Sequence, residues 1–190
     1  MRIFVQGDRN ATGIEQPAAK IAGLFKEAGI RVNLGAYGQI VGIFKDAGCD
    51  IHCYGFKPGE RESNPRRTNC FSLAVGLNDS DFGICPTESE QAKVVAWGLR
   101  LGLLLAHSDA FVYFDGRHGT MAQTVATIAH GIASQESGES AKKVALIGWS
   151  RRHFSALTAL FFPPFATLPD WLGTFGLEET DAVVAFLTTP

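Results

Sequence analysis

The stretch Ser108-Asp109-Ala110-Phe111-Val112-Tyr113-Phe114-Asp115-Gly116-Arg117-His118-Gly119-Thr120-Met121-Ala122-Gln123 passes from the most apolar strand-like run of the chain, through a turn holding two glycines, into a helix signal. Ala110–Phe114 is apolar at consecutive positions, not alternating ones, as in a strand whose two faces are both covered by helices in a parallel sheet. Beyond Gly119, the residues Val125, Ile128, Ala129 and Ile132 recur at helical spacing. A strand that turns directly into a helix is half of a βαβ unit, so the fold follows from how often that unit recurs.

It recurs over nearly the whole chain. Short apolar runs at Ile3–Val5, Val32–Leu34, Ile51–Tyr54, Cys70–Val75 and Val144–Gly148 read as further strands. Between them lie helical stripes. Ile21, Leu24, Phe25 and Ala28 form one, with Pro17 suited to its first turn and Gly29 as its stop, and Ile40, Ile43, Phe44 and Ala47 form another, stopped by Gly48. A longer helix is predicted from about Glu88 to Ala106, with Ala92, Val95, Ala96, Leu99 and Leu103 on one face. Arg152 to about Phe162 and Glu178–Leu187 complete the set, while Phe56–Thr68 and Ser134–Lys143 read as irregular segments. Alternation of this kind predicts a three-layer α/β, Rossmann-like domain with a mainly parallel sheet, one nucleotide-binding domain spanning residues 1–190.

Composition agrees and narrows the function classes. A chain of 190 residues is long enough to bury about 70% of its unfolded surface in one core. With 46% hydrophobic and 19% charged residues, against about 25% charged in an average globular chain, it is neither disordered nor a coiled coil. A net charge of −2 lacks the broad positive field of sequence-independent nucleic-acid binding, so no nucleic-acid partner is expected. Val94–Ala106 is interrupted by Arg100 and falls short of the roughly 20 apolar residues of a membrane span. The first residues, Met1 to Gly7, lack the pattern of a signal peptide, and a cytoplasmic protein is expected. Cys49, Cys53, Cys70 and Cys85 show no Cys-x-x-Cys spacing; buried reduced thiols are expected, with no metal and no resident cofactor.

In an open parallel sheet, ligands bind beyond the carboxyl ends of the strands. The candidate turns are Gln6–Gly13, Gly35–Gly42, Gly55–Gly59 and Asp115–Thr120. In the last, Gly116 and Gly119 permit close backbone approach, Thr120 adds a hydroxyl, and the free N–H groups of the starting helix suit an anion. The other reading is an ordinary tight turn with Thr120 as its cap. Asp115 repels a phosphate unless Arg117 or another cation intervenes.

The same residues resemble the signature of the LOG (Lonely Guy) family, in which an Ala-Asp-Ala-Phe strand leads into Pro-Gly-Gly-x-Gly-Thr-x-x-Glu. The glycine-rich second turn, Gly55-x-x-Pro58 and the placement of Arg100 nine residues before Asp109 agree with it, and the order of elements is similar over most of the chain. Members of this family, long known as lysine decarboxylase-like proteins, include nucleoside 5′-monophosphate phosphoribohydrolases; the molybdenum-cofactor carrier proteins are relatives. The resemblance implies a nucleotide phosphate at Gly116, Gly119 and Thr120, with Arg100 in the place of the catalytic arginine, and a homodimer or higher oligomer built on the long apolar helix. Gly7, Gly35 and Gly38 in the first two turns, with Arg117 and His118, complete the expected ligand-binding set.

Four positions depart from the pattern: Asp115 replaces Pro, Arg117 the second Gly, Leu101 the usual Lys, and Gln123 the Glu. Cleavage of an N-glycosidic bond builds positive charge on the sugar, and a carboxylate can stabilise it or activate water, a contribution of about 10²–10⁴ in rate. Gln123 cannot act as an ion, which leaves Asp115 as the nearest replacement carboxylate. Two functions follow: a phosphoribohydrolase with an altered site using Arg100, Gln123 and Asp115, or a carrier that binds a nucleotide or cofactor without cleaving it. A scaffold with a vestigial pocket is a third.

Individual residues keep more than one reading. Arg100 projects from a helix surface of Ala96, Trp97, Leu103 and Leu104, and either contacts ligand or forms a structural ion pair. Gln123 either bonds a sugar hydroxyl or is an ordinary polar helix residue, and His118 is either a donor or general acid, or solvated. Lys57, Arg61, Arg66 and Arg67 either close over a phosphate, meet a second subunit, or lie in a solvated loop.

Overall fold

The computed structural model describes residues 1–7, 13–35, 39–54, 98, 101–162 and 167–189. Six strands, β1 (Arg2–Gln6), β2 (Arg31–Gly35), β3 (Ile51–Tyr54), β4 (Ala110–Phe114), β5 (Lys143–Ile147) and β6 (Leu172–Phe175), form one sheet in the order β3-β2-β1-β4-β5-β6. Every described pairing is parallel. The helices are α1 (Glu15–Glu27), α2 (Gln39–Asp46), α3 (residues 101–107), α4 (His118–Glu136), α5 (Arg151–Phe161) and α6 (Thr180–Thr188). No helix among the described residues is long and apolar enough to cross a membrane.

Strand periodicity sorts the core into two layers. Ile3, Val5, Val32, Leu34, Val112 and Phe114 face α1, α2 and α6, whose contributions include Phe25, Phe44 and Val183. Phe4, Phe111, Tyr113 and Leu146 face the other way, onto Leu104 of α3, Ile128 of α4 and Leu157 of α5. Each of these large side chains contributes about 1.5–3 kcal/mol by leaving water. Phe4 meets Tyr113 edge-on at 5.7 Å between ring centroids, which adds roughly 0.5–1.5 kcal/mol. The consecutive apolar positions of β4 are thus explained: both faces of that strand are covered.

The predicted stops hold. Gly29 has φ of 63°, its N–H donates to Lys26 and that of Ile30 to the Phe25 carbonyl at 2.8 Å, the paired bonds of a Schellman ending. Gly48, with φ of 78°, ends α2 in the same way. Several boundaries move: α4 begins at His118, before Gly119, and runs on to Glu136, so the irregular segment expected over Ser134–Lys143 shrinks to the residues between Glu136 and Lys143, where β5 starts; α5 begins at Arg151, and α6 at Thr180, two residues after the expected Glu178. Strand β6 is an addition to the expected set. It is short, contains Gly173, lies at the sheet edge and leaves Thr174 exposed, so it carries little of the β-branched, apolar signal of the inner strands. The expected strand at 70–75 and the expected helix from 88 to 97 lie outside the described residues.

The strand order has one consequence for function. The chain runs from β1 outward to β2 and β3, then resumes on the opposite side of β1 with β4. The order reverses between β1 and β4, and open α/β sheets bind ligands beyond the carboxyl ends of the strands at such a point.

Candidate functional site

Helices α1, α2, α4, α5 and α6 all begin at this edge of the sheet, each with unsatisfied backbone donors and the positive end of its dipole, and α1, α4 and α5 are the three that follow the adjacent strands β1, β4 and β5. Two of them are already served. At α1, the Glu15 carboxylate accepts the Gly13 N–H at 2.8 Å and Nε2 of Gln39 at 2.9 Å. A hydrogen bond from its own backbone N–H, and then that of Gln39, hold the Glu15 carboxyl below the usual range, so this helix end carries its own anion. At α5, Ser150 is the N-cap and its Oγ accepts the His153 N–H at 3.3 Å. Helix α4 differs. Its N-cap residue is Arg117, which makes no side-chain capping bond, and no acidic residue stands in its first turn.

The glycines separate by the same test of what they are needed for. A Cβ on Gly7 would lie 2.5 Å from Ile40 Cδ1 and 3.2 Å from Phe114 Cβ, so close packing of β1 against α2 and β4 requires a glycine there whatever binds nearby. Gly35 is buried at the end of β2, opposite Tyr54. A Cβ on Gly119 would meet nothing within 4 Å. Its backbone lies outside the left-handed region and it is exposed, so nothing in the packing demands glycine at that place. Arg117 and His118 are exposed beside it. Thr120 is buried at 3% exposure, three residues into α4, so it is not the N-cap; its carbonyl accepts the Thr124 hydroxyl at 2.9 Å.

Asp115 is an anchored carboxylate. Its Oδ1 accepts the Gly116 N–H at 2.8 Å and lies 2.8 Å from Nδ1 of His153, while Oδ2 accepts the Ser150 N–H at 3.0 Å. It ties the turn after β4 to the start of α5. The Gly116 amide is therefore committed to Asp115, and what Gly116 offers a ligand is close approach. His153 escaped the sequence analysis because its partner is 38 residues away and no local motif joins them.

Gln123 is buried, 4% exposed, and its Oε1 makes no hydrogen bond among the described residues. Its carbonyl accepts the Thr127 hydroxyl at 2.9 Å, which uses that residue's one proton, so Tyr113, 2.6 Å away, is the donor in the Tyr113–Thr127 bond. Burial pushes the Tyr113 phenol up and keeps it a neutral donor. Long helical side chains lean toward the N-terminus over the preceding turn, which directs the Gln123 amide toward Gly119 and Thr120. The Gln123 Oε1 is thus a buried acceptor left without a partner among the described residues, one turn into α4.

At the opposite edge, Asp109 accepts the Arg2 N–H at 2.7 Å and returns its own N–H to the Arg2 carbonyl at 2.7 Å, so it fastens β4 to β1 away from the carboxyl ends of the strands. Trp149 donates Nε1 to the Tyr113 carbonyl at 2.9 Å, a structural role. Arg100, Gly38, the Asp8–Asn10 segment and the basic cluster Lys57, Arg61, Arg66 and Arg67 lie outside the described residues.

Neither a family model nor a curated protein matches the sequence. Solved structures do match the fold. The molybdenum cofactor binding protein of Rippkaea orientalis is 14% identical with a TM-score of 0.61, covering 99% of this chain and 97% of that one. The molybdenum cofactor carrier protein of Chlamydomonas reinhardtii is 15% identical with a TM-score of 0.58, covering 99% and 98%. DNA processing protein A from Helicobacter pylori, whose structure shows single-stranded DNA binding, is 13% identical with a TM-score of 0.60, covering 98% of this chain and 80% of that one. At these identities the likeness is one of fold, and the chain is similar in its Rossmann-like architecture to the molybdenum cofactor carrier and molybdenum cofactor binding proteins.

Proposed function

We propose that this protein binds a phosphate-bearing small molecule of nucleotide type beyond the carboxyl ends of β1 and β4, with the phosphate on the N-terminus of α4. The observation that carries the reading is the contrast among the three helix ends that follow β1, β4 and β5: α1 holds Glu15, α5 is capped by Ser150, and α4 has neither a side-chain cap nor an acid in its first turn. Gly119 adds a place where a ligand approaches the backbone and the fold has no use for the space. The helix end supplies about 0.3–2 kcal/mol to an anion, so the affinity rests on further contacts, for which Gln123 Oε1, Arg117 and Arg100 are the candidates.

N-glycosidic hydrolysis is the finer form of this reading, after the family that the turn resembles. A second form, a carrier that holds a nucleotide or a phosphate-bearing pterin intact, is favoured by the neutral amide of Gln123 where that family has an acid, and by the carrier proteins among the structural neighbours. The −2 net charge supports a small ligand over the single-stranded DNA of the third neighbour. A homodimer belongs to the proposal, and sedimentation of a monomer at micromolar concentration would remove it.

Calorimetric titration with a panel of nucleoside 5′-monophosphates, the matching nucleosides and a pterin phosphate tests the binding. The monophosphate should bind at least tenfold more tightly than its nucleoside. Equal affinity for both, or no heat with any of them, overturns the proposal.

A further inference from the structure

The carboxyl edge holds one group that phosphate binding does not use, the imidazole of His153. Its Nδ1 lies 2.8 Å from Asp115 Oδ1, and that carboxylate is itself fixed by the backbone N–H groups of Gly116 and Ser150 at 2.8 and 3.0 Å. The His153 backbone is held in turn by the Ser150 hydroxyl. Both partners of the pair are thus set by main-chain contacts from the two turns that follow β4 and β5. A carboxylate at Nδ1 selects the neutral tautomer with its proton there, which leaves the lone pair on Nε2. No hydrogen bond to Nε2 forms among the described residues, and the imidazole side chain is 44% exposed against 23% for the carboxylate.

Position joins this pair to the phosphate site. The Gly116 nitrogen and His153 Nδ1 each lie 2.8 Å from the same oxygen, so they are no farther apart than twice that distance, and the N-cap of α4 is the next residue after Gly116. Chemistry then limits what Nε2 can meet. A lone pair repels the lone pairs of a phosphate oxygen, so it suits an O–H group beside the phosphate: a water or a sugar hydroxyl. Two of the alternatives that the sequence offers do not serve as a free base. Gln123 is an amide, and both oxygens of Asp115 are engaged, so Asp115 acts on a ligand only through the ring it holds.

We propose that His153, oriented by Asp115, is the general base of this site. The inference rests on the nucleotide-binding reading above. Nε2 takes a proton from a water whose oxygen bonds to the anomeric carbon of the bound nucleoside monophosphate; the bond from that carbon to the base nitrogen breaks, its electron pair stays on the nitrogen, and the imidazolium returns the proton to it. The products are ribose 5-phosphate and the free base, with no other reactant. His153 is the catalytic residue and Asp115 a positioning residue.

The test uses the full-length protein with the nucleoside 5′-monophosphate that binds most tightly, with free base and inorganic phosphate both measured by chromatography. His153→Gln should lower kcat by about 10²–10⁴ with KM within twofold, the size of effect of a lost general base. Asp115→Asn should lower kcat less, also at constant KM, and added imidazole should restore part of the activity of His153→Gly. A wild-type protein that binds the nucleotide but releases no base overturns the general-base assignment and leaves the binding reading standing. Release of phosphate in place of base, His153→Gln at the wild-type rate, or no rescue by imidazole of a folded His153→Gly also overturns it. A protein that binds no nucleotide overturns the binding reading itself.

Discussion

Substituting Gly119 by aspartate separates the needs of the fold from the needs of the ligand. A Cβ at this position meets nothing within 4 Å and the backbone is ordinary, so the side chain enters without displacing a neighbour. The residue lies in the first turn of α4, which has no acid of its own. Replacing glycine there gains a few tenths of a kcal/mol in helix propensity, and a carboxylate in the first turn adds roughly 0.3–1 kcal/mol against the dipole. The variant should therefore be more stable by about 0.5–1 kcal/mol, a rise in Tm of roughly 1–4 °C for a chain of this size. For a phosphate the same carboxylate is a competitor and a repelling charge. At about 4 Å, two like charges cost between roughly 1 kcal/mol in water and 4 kcal/mol near a protein surface, which corresponds to a loss of affinity from about fivefold to several hundredfold. Thermal unfolding and calorimetric titration of Gly119→Asp, with Gly119→Ala as the uncharged control, read both quantities. A fall in Tm would refute the reading of an unencumbered helix end, and unchanged nucleotide affinity would refute the placement of the phosphate.

Three further outcomes follow from contacts elsewhere. Asp115→Ala should destabilise the protein by about 2–3 kcal/mol, because two backbone N–H groups and an imidazole lose a half-enclosed charged acceptor; a loss under about 0.5 kcal/mol in denaturant titration would show that this bracket does not hold β4 to α5. Gly131→Ala places a methyl group 3.0 Å from two ring atoms of the buried Trp171, and overpacking of this kind costs about 1–3 kcal/mol; an unchanged Tm would contradict it. His52 has its pKa lowered by burial first and then by the charges of Arg31 and Arg2, so the unfolded chain binds its proton more readily and stability declines as pH falls through the ordinary histidine range near 6.5. His52→Asn should flatten that part of the stability profile between about pH 7.5 and 5.5, and an identical slope in the variant would assign it to other groups.

Much of the fold is local and was therefore legible. The unbroken apolar run of β4, the stripes of α1 and α2 and the glycine stops at Gly29 and Gly48 each depend on a few neighbouring residues, and each element formed where those residues place it. Strand β6 was hidden because an edge strand with a glycine and an exposed threonine needs its neighbour β5 to become a strand at all. At the site, local reading found the glycine turn but ranked its members without knowing their partners. It treated Asp115 as a free carboxylate and His118 as the histidine of interest, and it did not single out His153.

The amino-acid sequence alone determined the alternation of strands and helices, the parallel character of the sheet and the glycine turn between β4 and α4, because hydrophobic period, glycine conformation and turn chemistry act over a handful of residues. Tertiary structure decided that α1 and α5 have side-chain partners at their starts and α4 has none, which glycine is required by packing and which is not, and that Asp115 is bound to His153. These are outcomes of competition for the same donors and the same space among segments distant in the chain, and only the order β3-β2-β1-β4-β5-β6 brings the competitors to one edge.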